Sequence, residues 1–168
     1  NVRLAVISSL APALAVGLYP RIEQAYPKVA LHIGDHSSKM AGAALVREEA
    51  DFAVIPNAAT DLPQVQSIPL FEESFHLVSR AQPGERSTPI SFSEAAAQPL
   101  VLPFHSHDLR RRLEDTARGI GVSLNAKYET GSINVIGALV EQGLASSILP
   151  TTYWLDRITA GQDRKSGG

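Results

Sequence analysis

Three kinds of side chain in this sequence are spaced so that they could do chemistry: serines ahead of helical stretches, a loop with two histidines, and a run of arginines. Ser8 and Ser9 stand between a strand-like run and the apolar stripe Leu14, Leu18 and Ile22, while Ser38 and Ser132 open two further helical stretches. A helix N-terminus carries about half a positive charge and unpaired N–H groups, so it suits a carboxylate or phosphate, to which a serine adds a hydroxyl donor. The plainer reading of any one serine is that it caps its helix. Convergence of several such ends strengthens the anion reading. His105-Ser106-His107 offers two imidazoles, but no carboxylate or third histidine is obviously placed to complete a metal site. His32, mid-strand, and His36, in a turn, read as structural. Arg110-Arg111-Arg112 is followed by Glu114 and Asp115, spaced to pair with Arg110 and Arg111 at i,i+4. It reads as a solvated helix face rather than a nucleic-acid patch.

Signatures of catalysis do not occur. The sequence has no Gly-x-Ser-x-Gly elbow, Ser-x-x-Lys, Gly-x-x-x-x-Gly-Lys or His-Glu-x-x-His. Gly119-Ile-Gly121 lacks a third glycine and leads into a strand, so it reads as a helix stop. Without cysteine there is no disulfide framework, thiolate metal site or thiol nucleophile. The carboxylates Glu48, Glu49 and Asp51 read as a surface helix end rather than an acid–base pair. We therefore expect no enzyme and no cofactor.

The elements that must position the serines and histidines follow from apolar period and breakers. Val2–Ile7 reads as a strand, followed by a helix ended by Tyr26-Pro27, a strand at 29–33, a helix from Ser37 or Ser38 to about Glu49, and a strand at 52–55. Strands at 65–70 and 75–78 precede a Pro/Gly-rich break at 82–89, and Ser91 or Ser93 caps a short helix. The pattern then resumes: strand 100–102, a loop, a helix capped by Asp108, strand 124–129, a helix capped by Ser132, and strand 146–149. This predicts an α/β chain of two Rossmann-like lobes, residues 1–80 and 81–158, with a tail at 159–168 expected to be disordered or truncated. Right-handed crossovers put helix starts at the carboxyl edge of each sheet, and facing edges predict an interlobe cleft for a small ligand.

Bulk properties limit the partners. The 168 residues are 44% hydrophobic and 19% charged, an ordinary globular mix with room for one domain or two small lobes. A net charge of −2 offers no basic face, so the chain by itself is not expected to bind DNA. No apolar run approaches the ~20 residues that span a bilayer, and no leader marks secretion, so the expected location is cytoplasmic. The chain starts at Asn1 directly in a strand, which reads as part of something longer.

The order of these pieces is similar to a known family. Ser9 before its helix, Tyr26-Pro27 before Val29, Leu31 and Ile33, the 50–55 strand, and the 70–78 stretch resemble the opening of the effector-binding domain of LysR-type transcription regulators. So do Leu100–Pro103, His107-Asp108-Leu109-Arg110, Gly119 and Gly121, Glu129 with Gly131-Ser132, and the stretch 139–150; the likeness covers about residues 2–158. The resemblance implies the two-lobed fold of periplasmic solute-binding proteins, with a small effector, often a carboxylate, in the cleft. It assigns Ser9, with its neighbour Ser8, and Ser38 to the first lobe's side of that site. Phe104, His105, Ser106 and His107 belong to the loop that offers backbone N–H groups from the second lobe, and Ser132 opens a helix facing the cleft. It also implies pairing into a homodimer or tetramer through the helix at 11–25, no metal or membrane, and DNA contact only through an N-terminal winged helix-turn-helix that is not among these residues. Two departures stand out. The family usually ends the helix before Asp51 with a glycine, where Glu48 and Glu49 stand here, and its chain returns after 149–150 to finish the first lobe. Without that return the first lobe would expose a strand edge. The other reading is a free-standing solute-binding protein that delivers its ligand to a transporter, which would carry a secretion leader.

Overall fold

The computed structural model describes residues 1–85, 88–151 and 153; the expected tail at 159–168 lies outside them. The chain divides into two compact units, one formed by Asn1–Glu73 and the other beginning at Ser74.

The first unit runs β1 (Val2–Ile7), α1 (Ala11–Ala25), β2 (Leu31–His36), α2 (Ser38–Val46), β3 (Phe52–Val54) and the short α3 (Ala58–Asp61). Its sheet has the order β2-β1-β3, and both pairings are parallel. Successive residues of β1 point to opposite faces, and each face has its own helix. Ala5 packs with Ala41, Ala44 and Ala50, and Val6 with Leu10 and Ala11. At the amino end Arg3 clamps the start of β3: its N–H donates to Asp51 at 2.8 Å and its Nη2 at 2.9 Å, while the Asp51 N–H donates to the Arg3 carbonyl. The guanidinium and backbone hydrogen bonds from Arg3 lower the Asp51 carboxyl to about 2, so this clamp is whole above the ordinary carboxylate range and fails only as pH falls through about 2.

The second unit contains β4 (Phe75–Val78), α4 (Phe92–Ala97), β5 (Leu100–Pro103), α5 (Asp108–Ile120), β6 (Ala126–Thr130), α6 (Ile133–Glu141) and β7 (Ser147–Pro150). β5 and β6 are parallel, β4 and β7 antiparallel. Leu100, Val101 and Leu102 are wholly buried, as expected of a strand covered on both faces. Leu113, Ile136, Val140, Ile148 and Leu149 complete this core. Buried Ser147 is satisfied because its hydroxyl donates to the Val101 carbonyl at 2.7 Å.

Several local readings need correction. Residues 65–70 form no strand, and Ile68, Leu70 and Phe71 are exposed in an irregular segment. The sequence places residues 75–78 in the first lobe, yet β4 is hydrogen-bonded to β7 and so lies with the second unit, a long-range pairing that local periodicity does not carry. α1 starts after Leu10 with no side-chain cap, so Ser9 is not its cap. Of the two serines open as the cap of α2 it is Ser37 that serves, and His107, not Asp108, caps α5. Gly121, at φ 72°, closes α5 as expected.

The end of α2 shows how the chain manages without the expected glycine. Glu48 takes the left-handed conformation, φ 60°, and its N–H donates to the Leu45 carbonyl while that of Glu49 donates to Ala44. This is the Schellman pattern, usually closed by glycine. A left-handed non-glycine residue costs about 1–2 kcal/mol, and glycine's extra chain entropy returns part of that. Glu48→Gly should therefore stabilise the domain by about 0.5–1 kcal/mol, read as a higher denaturation midpoint at unchanged slope. A lower midpoint would mean that Glu48 makes a compensating interaction.

Candidate functional site

At the carboxyl edge of the first sheet, parallel register brings the end of β1 beside the end of β2. Ile7 lies opposite His36, and the Ser8 N–H donates to the His36 carbonyl at 3.0 Å. The Ser8 hydroxyl donates to the Asp35 carboxylate, so both Ser8 donors are used within the edge and only its oxygen lone pairs remain for a ligand. Ser37 accepts from the Met40 N–H at 3.3 Å as the cap of α2. The hydroxyls of Ser9 and Ser38 make no hydrogen bond to a described residue, and both residues are half-buried. This edge thus holds Ser8, Ser9 and Ser38 together, beside the first turn of α2.

At the carboxyl edge of the second unit, Pro103 lies opposite Thr130, which places the loop after β5 beside the turn into α6. Phe104, His105 and Ser106 are exposed. The His107 N–H donates to the Phe104 carbonyl at 2.9 Å and closes the loop as a turn. The Phe104 ring covers Gly131, where an added Cβ would come within 3.0 Å of its Cε2. Ser132 caps α6 by accepting from the Val135 N–H at 3.3 Å, so its hydroxyl oxygen is engaged while its hydrogen stays free. His107 Nδ1 accepts from the Leu109 N–H at 3.3 Å as the cap of α5. Burial pushes the His107 imidazole below its ordinary value, against a smaller upward pull from Asp108.

The arginine run is not the uniform solvated face read from sequence. Arg110 is 3% exposed. Its Nε donates to Glu114 at 2.9 Å, the pairing expected, and its Nη1 to the Pro103 carbonyl at 2.9 Å. Its Nη2 contacts His105 Nε2 at 3.2 Å, and Glu129 lies 3.8 Å from Nη1. Arg111 and Arg112 both pair with Asp108, each at 2.8 Å, and Asp115 pairs instead with Arg118. The burial of Arg110 was foreshadowed: it lies three and seven residues before Leu113 and Ala117, on the buried stripe of α5. Among the described residues no group of three histidine, aspartate or glutamate side chains is placed to hold a metal. The two edges can offer hydroxyls, imidazole nitrogens and helix-start N–H groups to a small polar molecule.

One family covers nearly the whole chain, and the chain belongs to it: the LysR substrate binding domain model matches residues 1–162. The HTH-type transcriptional regulator BbuR of Bordetella bronchiseptica is 23% identical over 163 residues, 96% of this chain and 50% of that protein. The chain therefore spans about half the length of this curated relative. Among solved structures, a C206 mutant of OxyR from Corynebacterium glutamicum superposes with a TM-score of 0.76 at 23% identity, over 89% of this chain and 46% of that one. The effector binding domain of QuiR in complex with shikimate gives 0.71 at 15% identity, over 94% and 76%. At such identities the likeness is one of fold, an α/β architecture shared with LysR effector-binding domains. Among the described residues no helix is long and apolar enough to cross a membrane.

The lowered His107 value has a consequence for acid stability. The unfolded chain takes up this proton first, near pH ~6.5, so the contribution is complete above that pH and is lost as pH falls through the folded value. His107→Asn keeps an acceptor for the α5 cap but removes the titration. Denaturant midpoints taken from about pH 8 down to about pH 5 should fall less steeply for the variant than for the parent. Identical slopes would remove His107 from the acid limb.

Proposed function

We propose that this chain is the ligand-sensing module of a LysR-type DNA-binding transcription regulator, and that its effector is a small anion, most simply a carboxylate. The family match over residues 1–162 carries the reading of a sensor rather than an enzyme. Supporting the anion are the unengaged hydroxyls of Ser9 and Ser38 beside the start of α2, and the capped start of α6 at Ser132 next to the 104–107 loop. In this reading the effector-contacting groups are Ser8, Ser9, Ser38, Ser132 and the loop Phe104, His105, Ser106 and His107. Ser8 serves as an acceptor and the others as donors or as the wall of the site. The effector shifts an equilibrium between conformations by no more than its difference in affinity for them.

DNA contact belongs to a part of the regulator outside these residues, and the whole protein acts in the cytoplasm. Copies pair through α1, whose outer face leaves Val16 and Tyr19 exposed.

A thermal-shift screen of the domain against small carboxylates, amino acids, aromatic acids and inorganic anions tests the assignment. A true effector at ~100 times its dissociation constant adds about 2.7 kcal/mol, a rise of several degrees for a domain of this size. We expect a carboxylate to give that rise, and Ser9→Ala and Ser38→Ala each to reduce it while leaving the unliganded midpoint within about 0.5 kcal/mol of the parent. A full response in both variants would move the site elsewhere, and stabilisation by neutral or cationic compounds alone would overturn the anion.

A further inference from the structure

We propose that Arg110 is a positioning residue that fixes the tautomer of His105, so that the loop after β5 presents an Nδ1–H donor to the effector. The second half of this statement rests on the loop being part of the effector site; the first half does not.

The argument begins with what a guanidinium is able to do. Arginine has five N–H donors, no acceptor, and keeps its proton at any pH a protein meets. Wherever an imidazole nitrogen lies within hydrogen-bond distance of it, that nitrogen must accept. His105 Nε2 lies 3.2 Å from Arg110 Nη2, so it carries no hydrogen, and the ring's proton sits on Nδ1. A histidine side chain in water prefers the opposite form, with the proton on Nε2.

Arg110 is held too firmly to swing away. It is 3% exposed and anchored from three directions: Nε to Glu114 one helical turn along α5, Nη1 to the Pro103 carbonyl at the end of β5, and a longer approach to Glu129 on β6. The two carboxylates sit on the guanidinium and offset its buried charge. Its Nη2 is thereby aimed at the loop as a fixed donor. His105 itself is exposed, and its Nδ1 makes no hydrogen bond to a described residue, so the N–H that Arg110 dictates is left for a ligand. His107, two residues on, accepts through Nδ1 from the Leu109 N–H and is consequently left with the other tautomer, proton on Nε2. The loop therefore displays two imidazoles of opposite polarity.

This opposition supplies an internal control. In long-range 1H–15N spectra of the domain near neutral pH, with rings assigned through His105→Asn and His107→Asn, His105 should show a protonated Nδ1 and an acceptor-type Nε2, and His107 the reverse. Wild-type spectra decide the first half without any buried substitution: a protonated Nε2 as the main form of His105 overturns it. Arg110→Met should move His105 to the Nε2–H form while His107 keeps its pattern, an outcome that general loosening of the fold would not produce. An unchanged His105 in a folded Arg110→Met domain would likewise overturn the role of Arg110. Titration with sodium acetate then separates the two halves. A shift of the His105 Nδ1–H resonance in wild type, lost in Arg110→Met, supports donation to a carboxylate. A correct tautomer with no acetate response overturns the loop's part in carboxylate binding and leaves the fixing of His105 by Arg110 standing.

Discussion

Parallel strand pairing is the constraint on which the rest of this protein depends. When two strands run the same way, their carboxyl ends fall side by side and each must be followed by a crossover, so helix starts collect along one edge. β1 beside β2 brings Ser8 and Ser9 to the turn that opens α2, and β5 beside β6 brings the 104–107 loop to the turn that opens α6. No residue of either edge has to attract another for this to happen. Backbone register does it, and the side chains inherit a common address.

Much of this was legible because it depends on period and breakers. Strand, helix, strand, helix, strand is readable from Val2–Ile7 onward, and the glycine at 121 marks the end of α5 at the position where the chain turns left-handed. The edges that would hold a ligand follow from the crossover rule alone. Less visible was which of two neighbouring residues caps a helix. At α2 composition leaves Ser37 and Ser38 equally open and the acceptor is Ser37, while at α5 it is His107, one residue ahead of Asp108. Such a one-residue choice depends on backbone angles that composition does not report.

The remaining differences share another cause, the influence of residues remote in sequence. β4 belongs with β7 some seventy residues later, and nothing within residues 75–78 announces that partner. Residues 65–70 have strand-like composition but find no neighbour to pair with. Arg110 carried a local clue, its place on the buried stripe of α5, but three adjacent arginines suggested a single solvated surface. Their fates differ: one guanidinium lies in the interior between β5, β6 and the loop, and two share a single aspartate at the helix start.

The alanines of the first unit have a consequence for how this domain tolerates change. α2 meets the sheet through Ala41 and Ala44 against Ala5, residues whose side chains are single methyl groups and almost fully enclosed. Contacts between methyl groups leave little slack, so an added methylene at Ala5 or Ala41 has to be met by a backbone shift between helix and sheet. The start of that helix carries Ser37 and Ser38. The place of Ser37 and Ser38 at the rim is in this way coupled to volume in the core, several residues away from them.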